Sequence, residues 1–169
     1  MILSFDVGIK NLAFCVIDCQ FKIHDWFCTE IPNPTTHLKS LLYYLDSLQL
    51  MDNIDTILIE KQPYRNAKMR LLENILLTYF NVRNIDNSND VKILSYSAKH
   101  KLGELGKQIK GKKNYNQRKK LSIQLCSTFL DRYTQEAVFK YYFTQSKKKD
   151  DLADCVLQVL SYLNYNLIE

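Results

Sequence analysis

No stretch of this chain stays apolar for the roughly 18 residues that a membrane span requires. Its N-terminus lacks a basic segment followed by a long apolar one, so no secretory leader is expected. Cysteines are few: Cys15, Cys19, Cys28, Cys126 and Cys155 form an odd set with no CxxC spacing. That speaks against a disulfide framework and against zinc motifs, and it fits reduced, mostly buried thiols in a cytosol-like compartment. Glycine is scarce. Three of the four, Gly103, Gly106 and Gly111, fall in one short stretch, leaving Gly8 alone in the first hundred residues. There is no internal repeat.

What is present is a foldable chain of 169 residues, 46% hydrophobic and 12% aromatic, with 11 tyrosines. That excludes global disorder, and the length suits one domain over 1–169. The net charge of +5 hides a strong asymmetry. Residues 1–91 carry 8 Lys/Arg against 11 Asp/Glu, residues 92–149 carry 15 against 3, and residues 150–169 carry none against 4. Net balances of −3, +12 and −4 place the positive charge in one third of the chain. A polyanion, most often nucleic acid, is the partner such a segment suits. No membrane and no small-molecule cofactor are implied.

The chain opens on a strand, Ile2–Val7, with one carboxylate, Asp6, near its end and Gly8 as the turn. Leu12–Ile17 and Phe21–Cys28 read as two further strands of an antiparallel set. After Pro34, Thr35 or Thr36 suits a helix cap, and Leu38, Leu41, Leu42, Leu45 and Leu48 share one helical face. Thr56–Glu60 is a strand ending in a second carboxylate. A strand reached through a helix pairs parallel to the first, which brings Asp6 and Glu60 to the same sheet edge. A long helix follows from about Tyr64 to Arg83. It carries a stripe of Met69, Leu72, Leu76, Tyr79 and Phe80, and beside it a second stripe of Leu71, Ile75 and Val82. One stripe packs on the sheet; the other suits a partner subunit or deep burial. Val91–Ser95 is a fifth strand. Residues 98–120 read as an irregular basic, glycine-rich excursion, and helices follow near Asn116–Arg132 and Gln135–Gln145. The last helix begins near Asp150, with Leu152, Cys155, Val156, Val159, Leu160 and Leu163 on its apolar face. Asp151 and Asp154 border that face together, while Asp150 suits a cap or a partner for the helix dipole.

Four acids, Asp6, Glu60, Asp151 and Asp154, would therefore converge. Their mutual repulsion would raise their pKa values unless cations intervene. Hard Mg²⁺ or Mn²⁺ prefers such oxygen donors. Two ions about 3.5–4 Å apart would serve phosphodiester hydrolysis, with the basic segment holding the backbone.

Three blocks carry a resemblance: Phe5-Asp6-Val7-Gly8-Ile9-Lys10-Asn11-Leu12-Ala13, Ile59-Glu60-Lys61-Gln62-Pro63-Tyr64-Arg65-Asn66 and Lys148-Lys149-Asp150-Asp151-Leu152-Ala153-Asp154. They resemble the RuvC-type Holliday junction resolvases, closest to their poxvirus and fungal mitochondrial branch. The resemblance implies an α/β, RNase H-like fold with a five-stranded mixed sheet, three strands antiparallel and two parallel, flanked by helices. It implies a homodimer that binds four-way and other branched DNA and nicks two strands symmetrically, leaving ligatable ends. Asp6, Glu60, Asp151 and Asp154 match the family's metal-binding catalytic acids. The helix after Glu60 matches its dimer helix, so Leu71, Ile75 and Val82 become interface candidates. Bacterial members commonly carry a histidine near the last block; His24, His37 and His100 are all remote from it.

Residues suited to contact DNA are Lys61, Gln62, Tyr64, Arg65 and Asn66 beyond Glu60, then Lys107, Lys110, Lys112, Lys113 and Arg118 in the basic excursion. Lys148 and Lys149 lie before the last acids. Pro63-Tyr64 also reads as a plain helix start, and the two lysines as a flexible tether. Rival readings are an RNase H acting on RNA–DNA hybrids, a junction-binding module without catalysis, and an actin-like or sugar-kinase ATPase. The last needs two such domains and a threonine where Ile9 stands.

Overall fold

In a computed structural model of the protein, residues 1–33, 36–49, 53–86, 90–97, 99, 101–102, 115–133 and 136–164 are described. The alternation in β1 (Ile2–Val7) sets the architecture. Leu3, Phe5 and Val7 point to one face and are almost wholly buried, while Ser4 and Asp6 point to the other. The sheet has the order β3-β2-β1-β4-β5. β2 (Asn11–Ile17) returns antiparallel to β1, with Val7 opposite Leu12. The turn between them needs Gly8, because a Cβ there would lie 2.6 Å from the Asn11 carbonyl oxygen. β3 (Ile23–Glu30) extends the meander. β4 (Thr56–Lys61) and β5 (Lys92–Ser97) are added parallel on the other side of β1.

Helices cover both faces. α1 (Leu38–Ser47) and α2 (Ala67–Asp86) bury Leu41, Leu45, Leu72, Leu76 and Phe80 against Leu3, Phe5, Ile57 and Ile59. On the opposite face lie α3 (Tyr115–Arg132), α4 (Ala137–Gln145) and α5 (Lys149–Tyr162). There Phe129, Phe143, Leu152, Val156 and Val159 enclose Ala13, Cys15 and Trp26. Burying each such side chain stabilises the fold by about 1.5–3 kcal/mol. Trp26 also locates α5: its indole N–H donates to the Leu152 carbonyl at 3.1 Å, and its ring stacks on Phe143 at 5.2 Å.

Five local readings are corrected. β3 begins at Ile23 rather than Phe21, because Asp18 Oδ1 accepts the N–H groups of Gln20 and Lys22 and closes a turn that holds Phe21 at φ 64°. Thr36 does not cap α1; its hydroxyl lies 2.7 Å from His37 Nδ1, and Thr35 is outside the described residues. α2 starts at Ala67 rather than Tyr64, because residues 63–66 form a turn and Asn66 Oδ1 accepts the Met69 N–H as the cap. α3 spans Tyr115–Arg132, as the expected helix near Asn116–Arg132 does, so Arg118, Lys119 and Lys120 belong to it and the excursion does not reach 120. Asp150 is not the cap of α5, where Lys148 stands, but lies in the first turn, the position of a dipole partner. Gly103, Gly106, Gly111, Lys107, Lys110, Lys112 and Lys113 lie outside the described residues.

Candidate active site

β1 and β4 deliver one acid each to the face covered by α5. Their pairing ends at Phe5 opposite Ile59, so Asp6 and Glu60 stand side by side just past it. Asp154, on the second turn of α5, meets them from above. One oxygen from each of these three carboxylates lies within 4.8 Å of the others. Their side chains are 15%, 16% and 32% exposed.

The positive charge at this point is a residue that the sequence reading left inside the basic run. Lys101, just beyond β5, puts its Nζ 2.9 Å from Asp6 Oδ1, 2.9 Å from Glu60 Oε1 and 3.5 Å from Asp154 Oδ2. Its side chain is only 3% exposed. Fifteen basic residues between 92 and 149 made it indistinguishable by charge. The available signal was position: it follows the strand next to Glu60, at the same sheet edge.

Burial raises the Asp6 carboxyl well above its usual value, reinforced by Glu60 and Asp154 and opposed by Lys101. Burial also acts on Glu60, but the Lys101 charge and hydrogen bonds, including one from Gln62, outweigh it and hold Glu60 low. Lys101 is buried too, yet its three acids keep its ammonium firmly protonated.

Behind the acids lie neutral holds. Gln62 is buried, and its Nε2 donates to Glu60 Oε2 at 3.0 Å and to the Glu60 carbonyl at 3.1 Å. Gln158, one turn beyond Asp154, donates from Nε2 to Ser4 Oγ, the Phe5 carbonyl and the Leu58 carbonyl at 3.1–3.3 Å. It thereby ties α5 to both acid-bearing strands.

Asp151 stands apart from the triad. It faces the same cavity and pairs with Lys148 at 3.5 Å. Burial and then Asp150 raise its carboxyl. Asp150 pairs with Lys119, whose ammonium also sits 4.9 Å over the Tyr115 ring; against the effect of burial, that pairing lowers the Asp150 carboxyl. The cavity, of about 530 Å³, has the acids as its floor and Lys10, Tyr115, Arg118, Lys119 and Lys148 among its walls. Lys119 and Tyr115 were not singled out from the sequence; on a helix, they follow Arg118 by one position and precede it by three.

The other candidates lie elsewhere. Lys61, the last residue of β4, and Tyr64, Arg65 and Asn66 on the turn beyond it are exposed and outside the cavity lining. Tyr64 is 86% exposed, with the Arg70 guanidinium 5.3 Å from its ring centre. Lys149 opens α5 and is half-buried. On α2, Leu71 and Val82 are exposed, whereas Ile75 is half-buried against the core. His24 pairs with Asp18 and His37 with Thr36, and neither lines the cavity; His100 is outside the described residues.

Three convergent carboxylate oxygens, with an ammonium already between them, suit a small hard cation such as Mg²⁺ or Mn²⁺. No thiolate or imidazole joins the set among the described residues.

The fold is similar to that of fowlpox virus resolvase, solved in complex with substrate Holliday junction DNA. The TM-score is 0.67 at 19% identity, over 97% of this chain and 99% of that one. Thermus thermophilus RuvC, solved with a Holliday junction substrate, gives 0.58 at 14% identity over 96% and 92%. Such likenesses identify the RNase H-like fold of RuvC-type resolvases. An uncharacterized protein, L451, of Acanthamoeba polyphaga mimivirus is 32% identical over 149 residues. That match takes in 78% of this chain and 35% of the mimivirus protein, so the chain spans about a third of that relative's length. The model of the poxvirus A22 protein matches residues 1–166, and the chain belongs to this poxvirus family.

Proposed function

We propose that this chain is a structure-selective endonuclease that cuts branched DNA, four-way junctions foremost, by metal-dependent hydrolysis and as a homodimer. The observation that carries the reading is the meeting of Asp6, Glu60 and Asp154 on the floor of a cavity with basic walls. An acidic floor with a basic rim suits a cation below and a phosphodiester above. The relatives solved with junction DNA supply the substrate class.

Asp6, Glu60 and Asp154 would hold one ion, and Asp151, on the same cavity wall, would help to hold a second. Bound there, Mg²⁺ or Mn²⁺ would activate a water and stabilise the charge of the departing oxygen. The protein's own part is positioning. Lys101 keeps the three acids together without an ion, and Gln62 and Gln158 fix their elements. Arg118, Lys119 and Lys148 reach the rim where backbone phosphates would lie. Tyr64 and Arg65, exposed beyond Glu60, suit unpaired bases at the crossover. The exposed Leu71 and Val82 of α2, with Ile75 between them, offer the surface for a second copy.

The test is cleavage of a labelled four-way junction with Mg²⁺, Mn²⁺ or EDTA, beside linear duplex and an RNA–DNA hybrid. Paired, symmetric, ion-dependent nicks on the junction are expected, with Asp6→Asn binding junctions as well as the parent while failing to cut. Preferential cutting of the hybrid would move the chain to the RNase H reading. Wild-type cutting by Asp6→Asn would remove Asp6 from the site.

A further inference from the structure

One buried acid takes no part in the site as described. Glu73, on α2, is 6% exposed and approaches the sheet from the face opposite the triad. A buried carboxylate is destabilising unless its oxygens are hydrogen-bonded. Both of these are: Oε2 accepts the Gln62 backbone N–H at 2.9 Å, and Oε1 accepts the Ser95 hydroxyl at 2.5 Å. An apolar side chain would dock α2 on the sheet with a smaller penalty, so docking alone does not account for an acid here. Its location does. β4 ends at Lys61, and Gln62 is the first residue beyond it. Glu73 therefore fixes the backbone of the residue whose carboxamide grips Glu60.

We propose that Glu73 is a positioning residue that sets Glu60 through Gln62. The inference rests on reading Glu60 as a cation-holding acid. Lys101 and Gln62 both donate to Glu60. Lys101 is positively charged and stands where an entering cation would repel it. Gln62 is neutral and can keep its place beside an ion, so the aim of Glu60 in the loaded site depends on Gln62. Without Glu73, the Gln62 N–H is left buried with no acceptor, the turn relaxes, and the carboxamide leaves Glu60.

The experiment measures Mn²⁺ affinity of the full chain by calorimetry, without DNA. Glu73→Met should weaken it about tenfold or more, the usual effect of removing a support behind a metal ligand. Glu73→Gln should restore most of the affinity, because its Oε1 can accept the Gln62 N–H while its amide donates to Ser95 Oγ. The Gln62 amide should lose hydrogen-exchange protection in Glu73→Met and regain it in Glu73→Gln. Should Glu73→Met fail to fold, Gln62→Met breaks the same chain at its other end and should show the same loss. In a folded double variant the losses should not add. Mn²⁺ affinity unchanged in Glu73→Met, or in Gln62→Met where the first does not fold, overturns the proposal. Junction cleavage is scored separately: a wild type that holds Mn²⁺ yet never cuts branched DNA would remove the nuclease reading and leave the Mn²⁺ comparison intact.

Discussion

Lys101 is the residue on which the ion-free site depends. Its ammonium is the positive group bonded to all three converging acids, and it is almost completely buried. Removing one member of a buried ionic set leaves the others uncompensated, at a cost of about 3–5 kcal/mol. Lys101→Met should therefore lower the melting temperature clearly in EDTA. Millimolar Mn²⁺ should restore it by more than it raises the wild type, because the ion replaces the lost charge. A melting temperature indifferent to Mn²⁺ would show that these acids hold no ion. At this scale the sequence was informative about the acids and poor about their supports. Asp6 and Glu60 were legible because a charge at the end of an apolar strand demands an explanation, and Asp154 because it borders a clear apolar helix face. Lys101 and Glu73 were not, and Gln62 was singled out for contact with DNA rather than as a support of Glu60. A lysine within a basic run, a glutamine after a strand and a glutamate within a helix are all ordinary in a sequence. Only the tertiary fold shows that each is buried and what it touches.

Elements were legible where apolar spacing was regular, and less so where a side chain replaced a backbone partner. The strands followed from short apolar runs, and the first, second and last helices from a period of 3.6. The start of β3 did not, because Asp18 folds the preceding turn around its own carboxylate. The start of α2 shifted for a similar reason, with Asn66 as cap. The β2–β3 turn offers a pH test. Burial alone would raise the Asp18 carboxyl, but the hydrogen bond to His24 and those from the Lys22 and Gln20 amides lower it from 3.8. A carboxyl lowered in the folded state stabilises that state above its unfolded pKa, and the stabilisation disappears as pH falls through the folded value. Asp18→Ala should thus reduce stability by about 2 kcal/mol near neutral pH. The difference from wild type should shrink as pH falls below the unfolded carboxyl value and disappear once pH lies below the folded one, as urea titrations at several pH values would record. A deficit that persisted in acid would mean that the carboxylate is not its source.

At the scale of the whole molecule, the proposed homodimer requires a surface that a second copy can cover. The β3 edge is poorly suited to sheet extension, since the Trp26 N–H goes to Asp25 Oδ1 and the Cys28 N–H to the Tyr142 hydroxyl. The exposed side of α2 has no such obstacle. Leu71→Glu combined with Val82→Lys should give a monomer by sedimentation velocity. Its folding stability should change by only about 0.5 kcal/mol per exposed site. A wild type that stays monomeric at high concentration would dismiss this surface. The same α2 carries Glu73, so the surface offered to a second copy and the support of Glu60 share one rigid helix. Trp26 adds a different kind of consequence. It is the chain's single tryptophan, and its indole is bonded to the first turns of the helix that brings Asp154 to the site. The protein therefore contains its own optical gauge: the colour and intensity of its ultraviolet emission report, without any label, whether that helix is seated on the sheet.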